Sequence, residues 1–185
     1  MKVRDADLPG VLILEPDRYE DERGFFSETW NARWLETLPV EGFLQDNHSF
    51  NREPGTIRGL HYQAAPHAQA KLLRVLNGAV YDVVVDLRDA SPTFGRWTGI
   101  ELSARRWNQL FVPEGFAHGF CTLEPETHVL YKVSGAWEPS AERGLLWNDP
   151  DLGIEWPRFD RYVIAERDRS WPSFASLSSL DQAAS

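Results

Sequence analysis

Short runs of β-branched and aromatic residues recur along the chain between turn residues, and little of the sequence repeats at helical spacing over more than two turns. The number and spacing of these runs predict a mostly β protein built as a sandwich or barrel. One short helix is predicted from Asn31 to Leu38, with Asn31 as its N-terminal cap. The predicted strands are Val11 to Leu14, Gly24 to Thr29, Phe43 to His48, Thr56 to Gln63, Lys71 to Leu76, Ala79 to Leu87, Arg96 to Leu102, Gln109 to Val112, Gly119 to Leu123 and Thr127 to Val133.

The length of the chain sets the expected number of domains. It has 185 residues, of which 42% are hydrophobic, and it shows no internal repeat and no long linker. A chain of this size suits one domain that buries about 70% of the surface of its unfolded state. We therefore expect a single domain over residues 1–172, followed by a flexible tail over residues 173–185, where serines and alanines are frequent.

The overall charge and the cysteine content exclude several classes of partner and indicate a compartment. The formal net charge of −9 argues against nucleic acid, so any anionic ligand must meet a local cluster of basic residues. Cys121 is the only cysteine, which rules out an internal disulfide and suits a reducing compartment. The polar N-terminus does not resemble a signal peptide, and no apolar run approaches the ~20 residues that span a bilayer. We expect a cytoplasmic protein without a membrane partner.

The segment from Thr56 to Gln63 carries the residues with the clearest chemical meaning. It contains His61, and Lys71 follows within a dozen residues on another strand-like segment. An imidazole beside an ammonium group suits carbanion chemistry next to a carbonyl, because the base removes a proton and the cation holds the resulting enolate oxygen. This pairing makes an enzyme the leading interpretation.

The dipeptide Asn77-Gly78 predicts a type I′ turn between two apolar strands, and hence a β-hairpin. The register of that hairpin places Lys71 and Asp82 as diagonal neighbours on one face. The carboxylate would then position the lysine and keep it charged. An ordinary solvent-facing ion pair, worth about 0 to 1 kcal/mol, fits the same spacing equally well.

Histidines in a β-barrel raise the question of a metal site, but the spacing argues against one. The same-face neighbour of His61 is Gln63, whose amide is a poor ligand for a transition metal. His118 lies in a glycine-punctuated loop and is a candidate substrate contact instead. Strict strand alternation places Arg58 on the face opposite His61, so a bulge or bend at Gly59 is needed to bring both into one pocket.

Several segments, taken together, resemble the dTDP-4-dehydrorhamnose 3,5-epimerase family. The resemblance runs in order from about Leu8 to Pro172, and the combination at compatible spacing is far more specific than any one motif. The segments are Asp21 to Glu28, Gln45 to Ser49, Arg58 to Gln63, Val112 to Phe120, Leu130 to Lys132, Glu142 to Gly144, Asn148 to Pro150 and Arg167 to Arg169.

The resemblance implies a cupin-type jelly roll with a few short helices, acting as a homodimer that exchanges N-terminal strands. It implies cofactor-independent epimerisation of dTDP-4-dehydro-6-deoxy-D-glucose at carbons 3 and 5, giving dTDP-4-dehydro-L-rhamnose. By similarity His61 is the base, Asp168 orients it, Lys71 steadies the enolate and Tyr131 returns the proton. An imidazole with a reference pKa near ~6.5 accepts a proton at neutral pH, whereas a phenol near ~10 is already protonated.

The family pattern also implies a set of substrate contacts, in which arginines suit the diphosphate because their planar fork gives paired hydrogen bonds. The implied contacts are Arg23, Glu28, Gln45, Asn47, Arg58, His118, Glu142 and Arg167, and Phe26 is a candidate for lining the nucleotide pocket.

One departure from the family pattern leaves two alternatives open. The family commonly carries a pair of tyrosines where this chain has Ala136-Trp137. The missing phenol motivates a mono-epimerase at carbon 3 that serves another deoxysugar. A catalytically silent cupin that binds a nucleotide sugar is the alternative from another class, and the intact set of His61, Lys71, Tyr131 and Asp168 argues against it. A metal-dependent cupin oxygenase is a more distant alternative.

Overall fold

A computed structural model describes residues 1–177 of the chain. Within this part the strands are β1 (Lys2–Asp5), β2 (Leu12–Glu15), β3 (Tyr19–Asp21), β4 (Gly24–Phe26), β5 (Gln45–Asn51), β6 (Thr56–Gln63), β7 (Lys71–Asn77), β8 (Ala79–Asp86), β9 (Trp97–Ser103), β10 (Gln109–Val112), β11 (Phe116–Thr122), β12 (Thr127–Val133), β13 (Glu142–Gly144) and β14 (Val163–Ile164). The helices are short: α1 (Glu166–Arg169) and three 3₁₀ helices at Ala32–Glu36, Pro139–Ala141 and Phe174–Ser176.

Most of the strands form two facing sheets. The first has the order β1-β2-β10-β7-β12-β5 with antiparallel neighbours, and the second has the order β13-β6-β11-β8-β9. The strand β14 joins the second sheet beside β6 as its one parallel pair among the described residues. This arrangement confirms the predicted mostly β sandwich of the jelly-roll type.

The core has three parts because each sheet is covered on both faces. Between the sheets, apolar side chains of both inner faces pack together, including Leu73, Val75, Val129, Val80, Val84 and Phe116. The outer face of the second sheet is covered by the C-terminal segment through Leu145, Leu152 and Trp156. Part of the outer face of the first sheet is covered by the segment that contains Trp34 and Leu38.

The predicted hairpin at Asn77-Gly78 is wrong. The strand β7 pairs with β10 and β12, whereas β8 pairs with β9 and β11, so the chain crosses from one sheet to the other at this turn. Gly78 has a positive φ of 78°, but Asn77 lacks the positive φ that the predicted type I′ turn also requires. Lys71 and Asp82 therefore do not share a face of one hairpin. They approach each other across the interior, from opposite sheets.

Several element bounds also differ from the predicted ones. The predicted strand at Gly24 ends at Phe26, β5 runs over 45–51 rather than 43–48, and β11 begins at Phe116. The predicted helix is a 3₁₀ helix over 32–36, and the Asn31 side chain caps it by accepting a hydrogen bond from the Arg33 amide. The short strands β1, β3, β13 and β14 were not predicted, because two to four residues carry too little periodicity.

The C-terminal segment is packed as far as the structure describes it. The Phe174 amide donates to Asp149 Oδ2 over 2.7 Å, and the Phe174 ring lies against Phe94. Residues 178–185, the rest of the predicted flexible tail, lie outside the described residues.

Cys121 is buried, and burial raises the pKa of its thiol to about 12, which makes it inert at neutral pH. Among residues 1–177 no helix is both long and apolar enough to cross a membrane.

Candidate active site

A cavity of about 460 Å³ opens between the two sheets at one end of the sandwich. All four predicted catalytic residues line it, together with six of the nine predicted substrate contacts. These ten residues are His61, Lys71, Tyr131, Asp168, Gln45, Asn47, Arg58, His118, Glu142 and Arg167. They come from six strands and from helix α1, so the fold brings together residues more than 100 positions apart.

His61 and Asp168 form a tight pair in the wall of the cavity. His61 Nε2 lies 2.7 Å from Asp168 Oδ1. The carboxylate also accepts hydrogen bonds from the Gly59 amide at 3.2 Å and from Trp171 Nε1 at 3.3 Å. Burial alone would raise the pKa of Asp168, but the hydrogen bonds and the charge of His61 outweigh it and hold that pKa below its ordinary value. Asp168 is thus a fixed anion that holds the imidazole in its orientation.

The strand β6 turns both Arg58 and His61 toward the cavity through an irregularity at Gly59. In the pairing with β11, His61 is opposite His118 and Arg58 is opposite Phe120. Between these two pairs β6 advances by three residues and β11 by two, so β6 has one extra residue. Gly59 has φ of +121°, a conformation that side-chain-bearing residues rarely adopt. The bulge that the sequence required is therefore present, and it places the His61 imidazole and the Arg58 guanidinium in one pocket.

Lys71 is buried at the start of β7 and points into the same cavity. Its Nζ donates to the His61 carbonyl oxygen over 3.2 Å. Burial lowers the pKa of Lys71 to about 8, and the charges of Asp82 and Glu142 limit the shift. The ammonium form is present below that pH and is lost as the pH rises through it, so Lys71 supplies a desolvated cation at neutral pH.

His118 belongs to a second buried imidazole–carboxylate pair. Its Nε2 lies 2.9 and 3.0 Å from the two oxygens of Asp82, which is fully buried. Burial lowers the pKa of His118, Asp82 opposes the shift, and the nearby charges of Lys71 and His61 reinforce it. A neutral His118 is thereby favoured, with its orientation fixed by Asp82.

Tyr131 faces the cavity from the first sheet, whereas His61 lies on the second. Burial raises the pKa of Tyr131, and the positive charge of Arg58 partly offsets the effect while Glu142 adds to it. The phenol is therefore protonated at neutral pH. A proton acceptor and a proton donor thus lie on opposite walls of one cavity.

The remaining polar residues give the cavity a local cluster of cations. Arg58 donates to Asn51 Oδ1 over 2.7 Å, and Arg167 lies 3.1 Å from the Glu142 carboxylate. With Lys71, these arginines place three cations in the cavity wall beside the two carboxylates of Glu142 and Asp168, in a protein whose net charge is −9. The local basic cluster that an anionic ligand requires is present.

Three predicted contacts, Arg23, Phe26 and Glu28, do not reach the cavity of their own chain. Arg23 and Phe26 lie on the β3–β4 hairpin, which is separate from both main sheets and whose six strand residues are all exposed. Arg23 pairs with Asp21, and Glu28 accepts a hydrogen bond from Asn31. Within one chain, the site is therefore formed without these three residues.

Sequence reasoning missed several residues that line or support the cavity. The sequence pointed to Asp82 only as a neighbour of Lys71. It pointed to Gln63 only as a poor ligand for a metal. Ser49 and Trp137 also line the cavity, and the Trp137 side chain is 55% exposed. The alternation of Gln45, Asn47 and Ser49 along β5 could have identified Ser49. In residues 1–177 no group of three or more histidine, cysteine or acidic side chains is arranged to hold a metal.

The geometry defines a class of enzyme. A carboxylate-oriented imidazole, a buried ammonium group and a protonated phenol around one cavity can remove a proton beside a carbonyl and return it to the other face. The fold and the site are those of a jelly-roll isomerase that works by acid–base catalysis.

Comparisons with known proteins identify the family. A family profile described as dTDP-4-dehydrorhamnose 3,5-epimerase matches residues 5–176. The dTDP-4-dehydrorhamnose 3,5-epimerase of Shigella flexneri is 50% identical over 177 residues, which cover 94% of this chain and 96% of that protein. The chain belongs to the dTDP-4-dehydrorhamnose 3,5-epimerase family, and its fold is the cupin-type jelly roll of that family.

Solved structures agree with this assignment. The Bacillus anthracis dTDP-4-dehydrorhamnose 3,5-epimerase, with TDP and PPi bound, superposes with a TM-score of 0.90 at 49% identity, covering 94% of this chain and 99% of that one. A Legionella pneumophila dTDP-6-deoxy-D-glucose-3,5-epimerase in complex with dTDP-4-keto-L-rhamnose gives a TM-score of 0.92 at 38% identity, covering 97% and 95%.

Proposed function

We propose that this protein epimerises dTDP-4-dehydro-6-deoxy-D-glucose at carbons 3 and 5, giving dTDP-4-dehydro-L-rhamnose. The observation that carries the proposal is the placement of the His61–Asp168 pair and Tyr131 on opposite walls of one cavity, with the Lys71 ammonium beside them. Inversion at carbon requires removal of a proton from one face and return to the other, and this arrangement supplies a group for each step.

Deprotonation is assigned to His61. The ketone at carbon 4 acidifies the hydrogens on carbons 3 and 5, because the electron pair of the broken C–H bond moves onto the carbonyl oxygen. The proton passes to the imidazole nitrogen, and the resulting imidazolium is stabilised by the Asp168 carboxylate 2.7 Å away. All of these steps use protein side chains, so the proposal requires no cofactor.

The enolate oxygen is assigned to Lys71. A desolvated ammonium stabilises developing negative charge far better than a hydrated one, because the surrounding medium screens it weakly. Burial lowers the pKa of Lys71 to about 8, so the group carries its charge at neutral pH while it can also share a proton with the enolate.

Proton return is assigned to Tyr131, and its substitution separates the two half-steps. Tyr131→Phe is expected to slow formation of epimerised product by about 10² to 10³. It should slow deuterium wash-in at carbon 3 by much less, because His61 can return a solvent deuteron to the face it deprotonated. The measurement is proton NMR in deuterium oxide alongside a product assay. Equal losses in both rates would show that one residue performs both steps.

Tyr162→Phe provides the matched control for that experiment. The Tyr162 hydroxyl donates to the Pro157 carbonyl oxygen at 2.9 Å and does not line the cavity. Its loss should leave the ratio of wash-in to product formation unchanged.

The nucleotide handle is assigned to the polar residues around the cavity. Arg58 and Arg167 suit the diphosphate because a guanidinium donates paired hydrogen bonds to phosphate oxygens. The half-exposed Trp137 offers a ring on which the thymine of the nucleotide can stack. The remaining proposed contacts are Gln45, Asn47, His118 and Glu142.

A homodimer is proposed to complete each site with Arg23, Phe26 and Glu28 of the second subunit. The β3–β4 hairpin contacts the rest of its own chain through Phe25, whose ring meets Trp107 edge-on at 4.6 Å. The next residue, Phe26, is 71% exposed, an unusual position for a large aromatic ring in an isolated chain. A hairpin that reaches into another subunit's cavity accounts for this exposure.

Mixed dimers test the exchange. Arg23→Ala and His61→Asn chains, co-expressed with different tags and purified on both, place one intact His61 and one intact Arg23 at the same site only if the hairpin is exchanged. Such heterodimers are expected to show about half of the wild-type activity at substrate concentrations below KM. Activity no higher than that of the Arg23→Ala homodimer would contradict the exchange. Arg105→Ala, which changes another exposed arginine, serves as the control in place of Arg23→Ala.

The double epimerisation is tested by the configuration of the product. Trapping the keto product with a reductase should give the L-rhamnose configuration, which requires inversion at both carbons. Inversion at carbon 3 alone would establish a mono-epimerase and implicate Ala136-Trp137. No inversion would leave a protein that only binds nucleotide sugars.

The single buried thiol of Cys121 further supports a reducing compartment, and we place the reaction in the cytoplasm.

A further inference from the structure

Gln63 is a buried amide in the cavity whose hydrogen-bonding groups are unused. Its side chain lines the cavity and the residue is only 8% exposed. Neither Nε2 nor Oε1 has a hydrogen-bond partner among the described residues. No step of the proposed epimerisation uses Gln63.

Unpaired burial of both ends of an amide is unfavourable, since the buried polar groups of folded proteins nearly always find partners. The neighbouring cavity-lining glutamine shows the usual solution, because Gln69 Nε2 donates to the Gly135 carbonyl oxygen over 2.6 Å. Gln63 must therefore find its partners in what enters the cavity. Its amide offers hydrogen-bond donors on Nε2 and an acceptor on Oε1.

The position of Gln63 places those groups beside the sugar. It lies two residues beyond His61 on β6 and shares the cavity face, so the two Cα atoms are about 7 Å apart. That spacing is comparable to the width of a hexose ring. A group held by Gln63 therefore belongs to the same ring whose hydrogens His61 removes.

The chemistry of the amide selects among the groups of the substrate. A ketone and a diphosphate only accept hydrogen bonds, and Lys71 and the arginines already serve them. A hydroxyl both donates and accepts, so it alone among these groups satisfies both ends of the amide.

We propose that Gln63 binds a hydroxyl group of the sugar ring, donating from Nε2 and accepting at Oε1, and thereby positions the ring over His61. This assignment rests on the proposed function for the identity of the sugar. It makes Gln63 a determinant of sugar specificity, because a site built for a hydroxyl strongly disfavours an analogue that lacks it.

Calorimetry with two ligands tests the proposal without catalysis. dTDP reports on the nucleotide contacts alone, and dTDP-6-deoxy-D-glucose adds a sugar whose missing ketone prevents deprotonation. Gln63→Met, which keeps the length of the side chain, is expected to weaken binding of the sugar nucleotide about 10- to 100-fold while leaving dTDP affinity nearly unchanged. The dTDP affinity also verifies that the variant folds with an intact site. Equal changes for the two ligands, or none, would overturn the proposal.

A matched variant and matched analogues sharpen the test. Gln69→Met removes the other cavity glutamine, and it should change the affinities for the two ligands by the same factor because its amide is bound within the protein. Analogues that lack the hydroxyl at carbon 2 or carbon 3 identify the partner. Wild-type protein should bind one of these analogues as weakly as Gln63→Met binds the parent sugar nucleotide. Gln63→Met should bind that analogue no more weakly than it binds the parent sugar nucleotide. If both analogues weaken wild type and variant by the same factor, Gln63 holds neither hydroxyl and the proposal fails. Because no turnover is required, failure of the epimerisation itself would leave this test readable.

Discussion

Replacing His61 with asparagine is expected to lower the exchange of substrate hydrogen with solvent by about 10²- to 10⁴-fold. Asparagine keeps a polar side chain of similar reach but has no basic nitrogen, so Asp168 is left with no imidazolium to stabilise. Affinity for dTDP should remain nearly unchanged, because the proposed nucleotide contacts are different side chains. The measurements are deuterium incorporation by NMR and dTDP binding by calorimetry.

The control for that variant is His67→Asn. His67 is exposed and does not line the cavity, so its replacement should alter neither exchange nor binding. Loss of dTDP affinity together with exchange in His61→Asn would mean that the histidine maintains the pocket rather than acting as the base.

Gly59→Ala is expected to destabilise the fold by about 3 to 5 kcal/mol, combining backbone strain with overpacking. At φ of +121° an added Cβ would lie 2.6 Å from the Gly119 Cα and 2.8 Å from the His118 carbonyl oxygen. Both obstacles are backbone atoms of the neighbouring strand, so neither can swing aside. Chemical denaturation measures the loss, and the folded fraction should have a disturbed cavity, since this bulge sets the directions of Arg58 and His61.

Gly42→Ala is the comparison for this second variant. A Cβ at Gly42 meets nothing within 4 Å, and its stability should lie within about 0.5 kcal/mol of wild type. Wild-type stability and activity in Gly59→Ala would show that the bulge is not what directs these side chains.

Local patterns in the sequence predicted the strands but not their partners. The run from Thr56 to Gln63 is one strand with the predicted bounds, because β-branched and apolar residues dominate it. The chain does bend at Gly78, but the predicted type I′ turn at Asn77-Gly78 does not form. Turn chemistry, however, does not reveal whether the second strand returns beside the first or leaves for the other sheet, and that choice depends on β10 and β11, some 30 residues away.

The meeting of the four proposed catalytic residues in one cavity was predictable because these residues sit in distinctive motifs. The need for a bulge at Gly59 followed from simple alternation, and the structure has it. The closeness of Lys71 to Asp82 was expected for the wrong reason, as both face the interior from opposite sheets. Only the folded arrangement could show that Asp82 pairs with His118.

The sequence did not predict the residues whose role depends on their burial. Gln63 reads as an ordinary polar residue until the structure shows it enclosed and without a partner. In the opposite sense, Arg23, Phe26 and Glu28 fit the family motif, yet one chain places them on an exposed segment. Only the folded arrangement shows that these three residues lie away from the cavity of their own chain.

The most direct measurement is proton NMR of dTDP-4-dehydro-6-deoxy-D-glucose with purified, chelator-treated enzyme in deuterium oxide. We expect deuterium to replace hydrogen at both carbon 3 and carbon 5, and we expect His61→Asn to reduce greatly the rates at which both signals disappear. Retention of hydrogen at both carbons in the presence of wild-type enzyme would contradict proton abstraction in this cavity.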